Sequence, residues 1–113
     1  MKAIAKAKHL RQSPRKMRQV IDTIRGKRVN DALTQLNFMN KKAAGFIIKT
    51  LKSAISNVQD QEASFDIDQL YIKKATVDEG PRMKRWRAAA MGRAVPIIKP
   101  TSHVTIVVSD ENN

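Results

Sequence analysis

The stretch GPRMKRWRAAAMGRAVPIIKPTSHVTIVVS, residues 80–109, decides the fold. Gly80-Pro81 breaks whatever regular element precedes it. Pro81, Pro96 and Pro100 exclude a long helix across the segment, because each removes a backbone donor and clashes with the preceding turn. Gly92 supplies the positive φ that a hairpin turn needs. Two arms of about eight residues, at ~3.3 Å each, would project roughly 25 Å. His103 to Ser109 is rich in Val, Thr and Ile and reads as a strand. In the arm, Arg-Met-Lys-Arg-Trp-Arg alternates so that Arg82, Lys84 and Trp86 share one face and Met83, Arg85 and Arg87 the other. Neither face is apolar enough for a core, so the arm needs a partner outside the chain.

Upstream of the arm, Leu70 to Val77 reads as a strand that pairs with 103–109. Gln59 to Asp68 is polar and acidic and reads as a loop. Before it lies the best apolar stripe in the chain, Ala44, Ile47, Ile48, Leu51, Ile55 and Val58. That spacing predicts a core helix of about five turns from an Asn40 cap to Asp60. Asn30 is expected to cap a shorter helix with Ala32, Leu33, Leu36 and Met39 inward. Ser13-Pro14 starts another, Ser as N-cap and Pro at the first helical position. Its stripe is Met17, Val20, Ile21 and Ile24, with Gly26 as a left-handed cap. Met1 to Lys8 alternates with period two and predicts a half-exposed strand.

At 113 residues the chain is one domain, 1–113, with residues 80–100 as an extended arm within it. Aromatics are only 4%, so the core must rest on aliphatic side chains. The absence of cysteine excludes disulfides, thiolate metal sites and cysteine nucleophiles, and favours a reducing interior. The N-terminus does not read as a signal peptide, and no apolar run approaches the ~20 residues that cross a bilayer.

The formal net charge is +12, and it is clustered. Residues 1–30 carry ten basic side chains against Asp22 alone, and residues 80–103 carry six with no acid. Residues 31–79 are nearly balanced, with six basic and seven acidic. Two basic segments therefore bracket a scaffold. Such crowding costs self-repulsion, which a polyanion relieves while releasing its counterions. Nucleic acid is the first candidate and an acidic membrane surface the second. The candidate RNA contacts in the first segment are Lys6, Lys8, Arg11, Arg15, Lys16, Arg18, Arg25, Lys27 and Arg28. In the second they are Arg82, Lys84, Arg85, Trp86, Arg87, Arg93, Lys99 and His103. Trp86 either stacks on a base or anchors the arm on apolar neighbours. Lys41-Lys42 and Lys73-Lys74 read as solvated charge.

Catalytic chemistry is missing from the inventory. His9 and His103 are the only histidines. There is no Gly-rich phosphate loop and no nucleophile elbow. Asp66 and Asp68 read as a solvated pair. No cofactor or metal is expected. A free architectural DNA-binding protein with basic β-arms, usually dimeric, is the alternative binding class. A hydrolase or nuclease lacks its ligand set.

The run Val77-Asp78-Glu79-Gly80-Pro81, then Met83-Lys84-Arg85, Gly92-Arg93-Ala94 and Thr101 to Ser109, closely resembles the bacterial-type large-subunit ribosomal protein twenty-two family. Ser13-Pro14-Arg15-Lys16, Ile24-Arg25-Gly26-Lys27, Asn40 to Ala44 and Ser53 to Asn57 resemble it too, in order along the whole chain. The resemblance implies an α+β fold, three helices packed on a small antiparallel sheet with a long protruding β-hairpin. It implies binding to large-subunit ribosomal RNA, beside neighbouring large-subunit proteins, in the cytoplasm. It implies that the hairpin lines the nascent-peptide exit tunnel, near where macrolide antibiotics bind, and so meets the nascent peptide. The RNA-gripping stem is then Arg82, Lys84, Arg85, Arg87, Arg93 and Lys99. The tunnel-facing tip is Ala88, Ala89, Ala90, Met91, Gly92 and Arg93. Family members often have a Pro-Arg-Ala type segment where this chain has Ala88-Ala89-Ala90, so this tip is less basic and less bulky. Neither a membrane nor a homo-oligomer is expected.

Overall fold

A computed structural model describes residues 2–62, 66–88 and 94–110, with backbone alone for 83–88 and 94–98. The order is β1 (Lys2–Leu10), α1 (Pro14–Ile21), α2 (Val29–Asn37), α3 (Lys42–Gln61), a 3₁₀ turn at Ile67–Gln69, β2 (Tyr71–Glu79), β3 (Met83–Ala88), β4 (Ala94–Lys99) and β5 (Ser102–Ser109). The fold is α+β. Strands β1, β5 and β2 form an antiparallel sheet in that order, and the three helices pack on one face of it.

Strand alternation sorts the sheet into two faces. Ala3, Ala5, Ile72, Ala75, Val77, Val104, Ile106 and Val108 are buried beneath the helices. The small alanines of β1 let α3 approach closely, where Ala44, Ile47, Leu51, Ala54 and Val58 are buried. Met17, Val20 and Ile21 of α1 and Val29, Ala32 and Leu36 of α2 complete an aliphatic core. The opposite face carries Lys2, Ile4 and Lys6 of β1, in register with Ser109, Val107 and Thr105.

Both edges of the sheet are covered, β1 by side chains and β2 by side chains and backbone, which blunts edge-to-edge pairing. On β1, Asn57 and Gln61 of α3 donate to the carbonyls of Ile4 and Lys2. On β2, the Arg18 guanidinium donates to the Val77 carbonyl at 3.0 Å and Arg25 Nε to the Ala75 carbonyl at 2.9 Å. Toward the start of β2, Gly26 N–H donates to the Ile72 carbonyl, and Val29 N–H donates to that of Leu70 just before the strand.

Ser13 caps α1 as expected, its Oγ accepting from the Lys16 N–H. The helix proper ends at Ile21. Ile24 is buried from the following turn, and Gly26 takes the expected positive φ, +75°, further on. The caps expected at Asn30 and Asn40 are instead Arg28 and Lys41, neither with a side-chain cap bond. Asn30 lies inside α2 and reaches Asp68. The loop expected over 59–68 is shorter, because α3 runs to Gln61 and the 3₁₀ turn begins at Ile67.

The arm is a separate two-stranded ribbon, Met83 paired with Lys99 through Ala88 with Ala94. Trp86 pairs with Pro96. A two-stranded ribbon has only edge strands, where proline is tolerated. The six-residue strands extend ~20 Å at 3.3 Å per residue. The molecule measures 64 × 25 × 21 Å, with a radius of gyration of 17.2 Å. A compact chain of this length would have about 13 Å, so the arm protrudes. Ala89, Ala90, Met91, Gly92 and Arg93, and with them the turn expected at Gly92, lie outside the described residues.

A candidate nucleic-acid interface

The cations of the first basic segment fall into two groups. Arg18, Arg25, Lys27 and Arg28 are used within the chain. Arg18 and Arg25 bind the β2 edge, and Arg25 also pairs with Asp22. Lys27 donates to Gln35, and Arg28 lies over the Tyr71 ring at 5.5 Å. In contrast, the side chains of Lys6, Lys8, Arg11, Arg15 and Lys16 make no hydrogen bond or ion pair among the described residues, and all are exposed. Their charge is left for a ligand.

The fold explains the division. Arg18 and Arg25 follow the side of α1 and its turn that meets β2, so their donors fall on edge carbonyls. Arg15 and Lys16 sit at the other end of α1, facing solvent. Lys6 and Lys8 occupy the outward positions of β1, next to Ile4, which is 54% exposed.

In the second segment, Lys84, Arg85, Trp86 and Arg87 lie along β3, and exposed Lys99 ends β4. Arg82 stands at the arm's root, pairing with Glu79 at 2.7 Å. Arg93 and the tip are outside the described residues. His103 is half-buried in β5, in register with Asp78, and its Nδ1 accepts the His9 backbone N–H at 3.1 Å. The rings of His9 and His103 meet edge to face at 4.9 Å.

The arm's two strands are tied together where they leave the body. Gly80 N–H donates to the Thr101 carbonyl at 2.9 Å, and Thr101 Oγ1 donates to the Pro81 carbonyl at 2.6 Å. Ser102 Oγ donates to the Gln12 carbonyl, linking this root to the segment before α1. The structure thus brings Arg11, Lys16 and Lys99 to one open cleft of about 250 Å³.

Lys41 and Lys42, which sequence alone reads as solvated charge, line a cleft with Lys16. No local signal marks them; only the packing of α3 beside α1 brings them there. Among the described residues no group of three or more His, Asp or Glu side chains is placed to hold a metal, and no helix is long and apolar enough to cross a membrane.

Residues 5–109 match the family described as ribosomal protein L22p/L17e. The chain is 49% identical over 111 residues to the large ribosomal subunit protein uL22 of Syntrophobacter fumaroxidans, covering 98% of this chain and 100% of that one. It is 54% identical over 111 residues to the large ribosomal subunit protein uL22 of Halothermothrix orenii, covering 98% and 97%.

Proposed function

The chain belongs to the ribosomal protein L22p/L17e family, and from that membership we propose that it is an RNA-binding structural component of the large ribosomal subunit. It is a structural protein and not an enzyme. Its place is the large subunit, in the cytoplasm, among neighbouring ribosomal proteins.

The observation that carries the RNA reading is the division of the cations. The side chains of Lys6, Lys8, Arg11, Arg15, Lys16 and Lys99 are exposed and have no hydrogen-bond or ion-pair partner among the described residues, while apolar residues from the first basic segment, the middle and β5, Ala5, Ile21, Leu51 and Ile106 among them, fill the core. Arg and Lys neutralise phosphates and so position the protein, and folded RNA is recognised largely by shape. Lys84, Arg85 and Arg87 carry the same chemistry along the arm, and the indole of Trp86 in the same strand is of a type that stacks on a base or anchors the arm. Arg18, Arg25, Lys27 and Arg28 serve the fold first and the RNA second.

The protruding ribbon supports a role as a tunnel element. In this reading β3 and β4 grip RNA, and the segment from Ala88 to Arg93 faces the nascent peptide in the exit tunnel. A run of alanines at that tip gives clearance rather than grip.

Co-sedimentation with the large subunit after a moderate salt wash tests the assignment. The wild-type protein is expected to stay bound. Replacing Arg85 and Arg87 by Ala should release it at lower salt. A wild-type chain that washes off completely would overturn the reading, and an unchanged double variant would remove the arm from it.

A further inference from the structure

We propose that two adjoining clefts at the root of the arm seat neighbouring phosphates of one RNA backbone. The proposal rests on the RNA-binding reading above and gives it a location. The first cleft, about 250 Å³, is lined by Arg11, Lys16 and Lys99. The second, about 280 Å³, is lined by Lys16, Lys41 and Lys42. Gln12 and Lys16 line both, so the two clefts share a wall.

Four separate parts of the chain supply these cations. Arg11 follows β1, Lys16 lies in the first turn of α1, Lys41 and Lys42 begin α3, and Lys99 ends the arm. No carboxylate lines either cleft. A third cleft, beside Arg28, is lined by Asp68 and Asp110 and is therefore unsuited to an anion. Like charges held together in a small concavity repel, and a phosphate between them turns that repulsion into attraction.

The shared wall is preorganised. Gln12 N–H donates to the Leu10 carbonyl at 2.8 Å, and its own carbonyl accepts from Ser102 Oγ at 2.6 Å. Ser13 Oγ accepts the Lys16 N–H, which leaves its hydroxyl hydrogen for a phosphate oxygen. A strand bound through both clefts touches the arm at Lys99 and the helical body at Lys41 and Lys42. RNA docking would then fix the direction in which the arm leaves the body.

The test measures the slope of log K against log salt for binding to intact large-subunit RNA. Each phosphate neutralised contributes about 0.7–0.9 to that slope. The Arg11→Gln/Lys99→Gln variant should lose about one such increment, because both side chains address the same phosphate. Lys41→Gln/Lys42→Gln should lose another, and the fourfold variant their sum. Lys52→Gln, on the exposed face of α3, should lose nothing. All these side chains are exposed, and unchanged thermal melts check that folding is intact.

A slope unaltered by Lys41→Gln/Lys42→Gln would overturn the proposal. So would a loss of two increments in Arg11→Gln/Lys99→Gln, since that marks two separate contacts. Both results leave the RNA-binding reading standing if the wild-type slope is steep. A flat wild-type slope defeats that reading and the clefts with it.

Discussion

The imidazole of His103 lies so close over Gly80 that a Cβ on the glycine would stand 3.1 Å from its Cε1. The same Cβ would meet Thr101 Oγ1 at 2.5 Å. Glycine is required here by close approach, at the point where β2 turns into the arm. Rotating Thr101 away would break its bond to the Pro81 carbonyl. Gly80→Ala should therefore destabilise the protein by about 1–3 kcal/mol, as overpacking does. Adding Thr101→Ala should recover part of the loss, so the double variant falls short of the sum. Urea unfolding midpoints check this, and a Gly80→Ala midpoint equal to wild type would contradict it.

His9 holds the other side of the same root. It sits at φ +59°, where the β1–β5 register shifts between Ala7 and Leu10. Few side chains accept that backbone conformation, and β-branched ones least. His9→Val should lose more than about 1 kcal/mol through strain, whereas His9→Gly should lose less than His9→Val. His103→Ala removes the Nδ1 acceptor and should cost about 0.5–1.5 kcal/mol. Equal losses for His9→Val and His9→Gly in thermal melts would mean that the backbone conformation is not the constraint.

Arg15 and Arg18 stand three residues apart on α1 and should respond oppositely. Arg18→Ala removes the cover from the Val77 carbonyl and should cost about 1–2 kcal/mol of stability. Arg15→Ala should leave the melt within about 0.5 kcal/mol of wild type and weaken RNA binding uniformly. Paired melts and RNA titrations separate the two effects. A destabilised Arg15→Ala would show that its charge is used inside the fold.

Leu51 is fully buried at the middle of α3. Leu51→Ala should cost about 2–5 kcal/mol, the loss of transfer energy plus a cavity. In a domain this small that is a large share of the total stability. A loss under 1 kcal/mol by denaturant unfolding would mean that α3 is not the centre of the core.

The elements were legible where local chemistry and burial agree. Ser13-Pro14 starts α1 and Met17, Val20 and Ile21 are buried from it. The stripe of α3 is buried at Ala44, Ile47, Leu51 and Val58, with Ile48 and Ile55 partly so. The cap expected at Asn30 falls elsewhere because tertiary pairing competes with local preference. Gly26, Lys27 and Val29 bond along the β2 edge, which sets Arg28 as the cap and starts α2 at Val29, so Asn30 is carried inside the helix. The candidate interface was legible as two clusters of charge. Which cations would be consumed by the fold was not, because Arg18 and Arg25 find carbonyls more than forty positions away in the chain, as their separations of 59 and 50 show. Lys41 and Lys42 join the basic surface only through the packing of α3.

Exposed cations on β1 and α1 and Lys99 at the end of the arm, without side-chain partners among the described residues, are proposed to bind ribosomal RNA. The most direct measurement compares binding of the wild-type protein to large-subunit RNA and to duplex DNA across a salt series. The protein should prefer the RNA, with an affinity that falls steeply as salt rises and a slope worth several phosphates. Equal or tighter binding to the DNA, or an RNA affinity that salt does not change, would contradict the proposal.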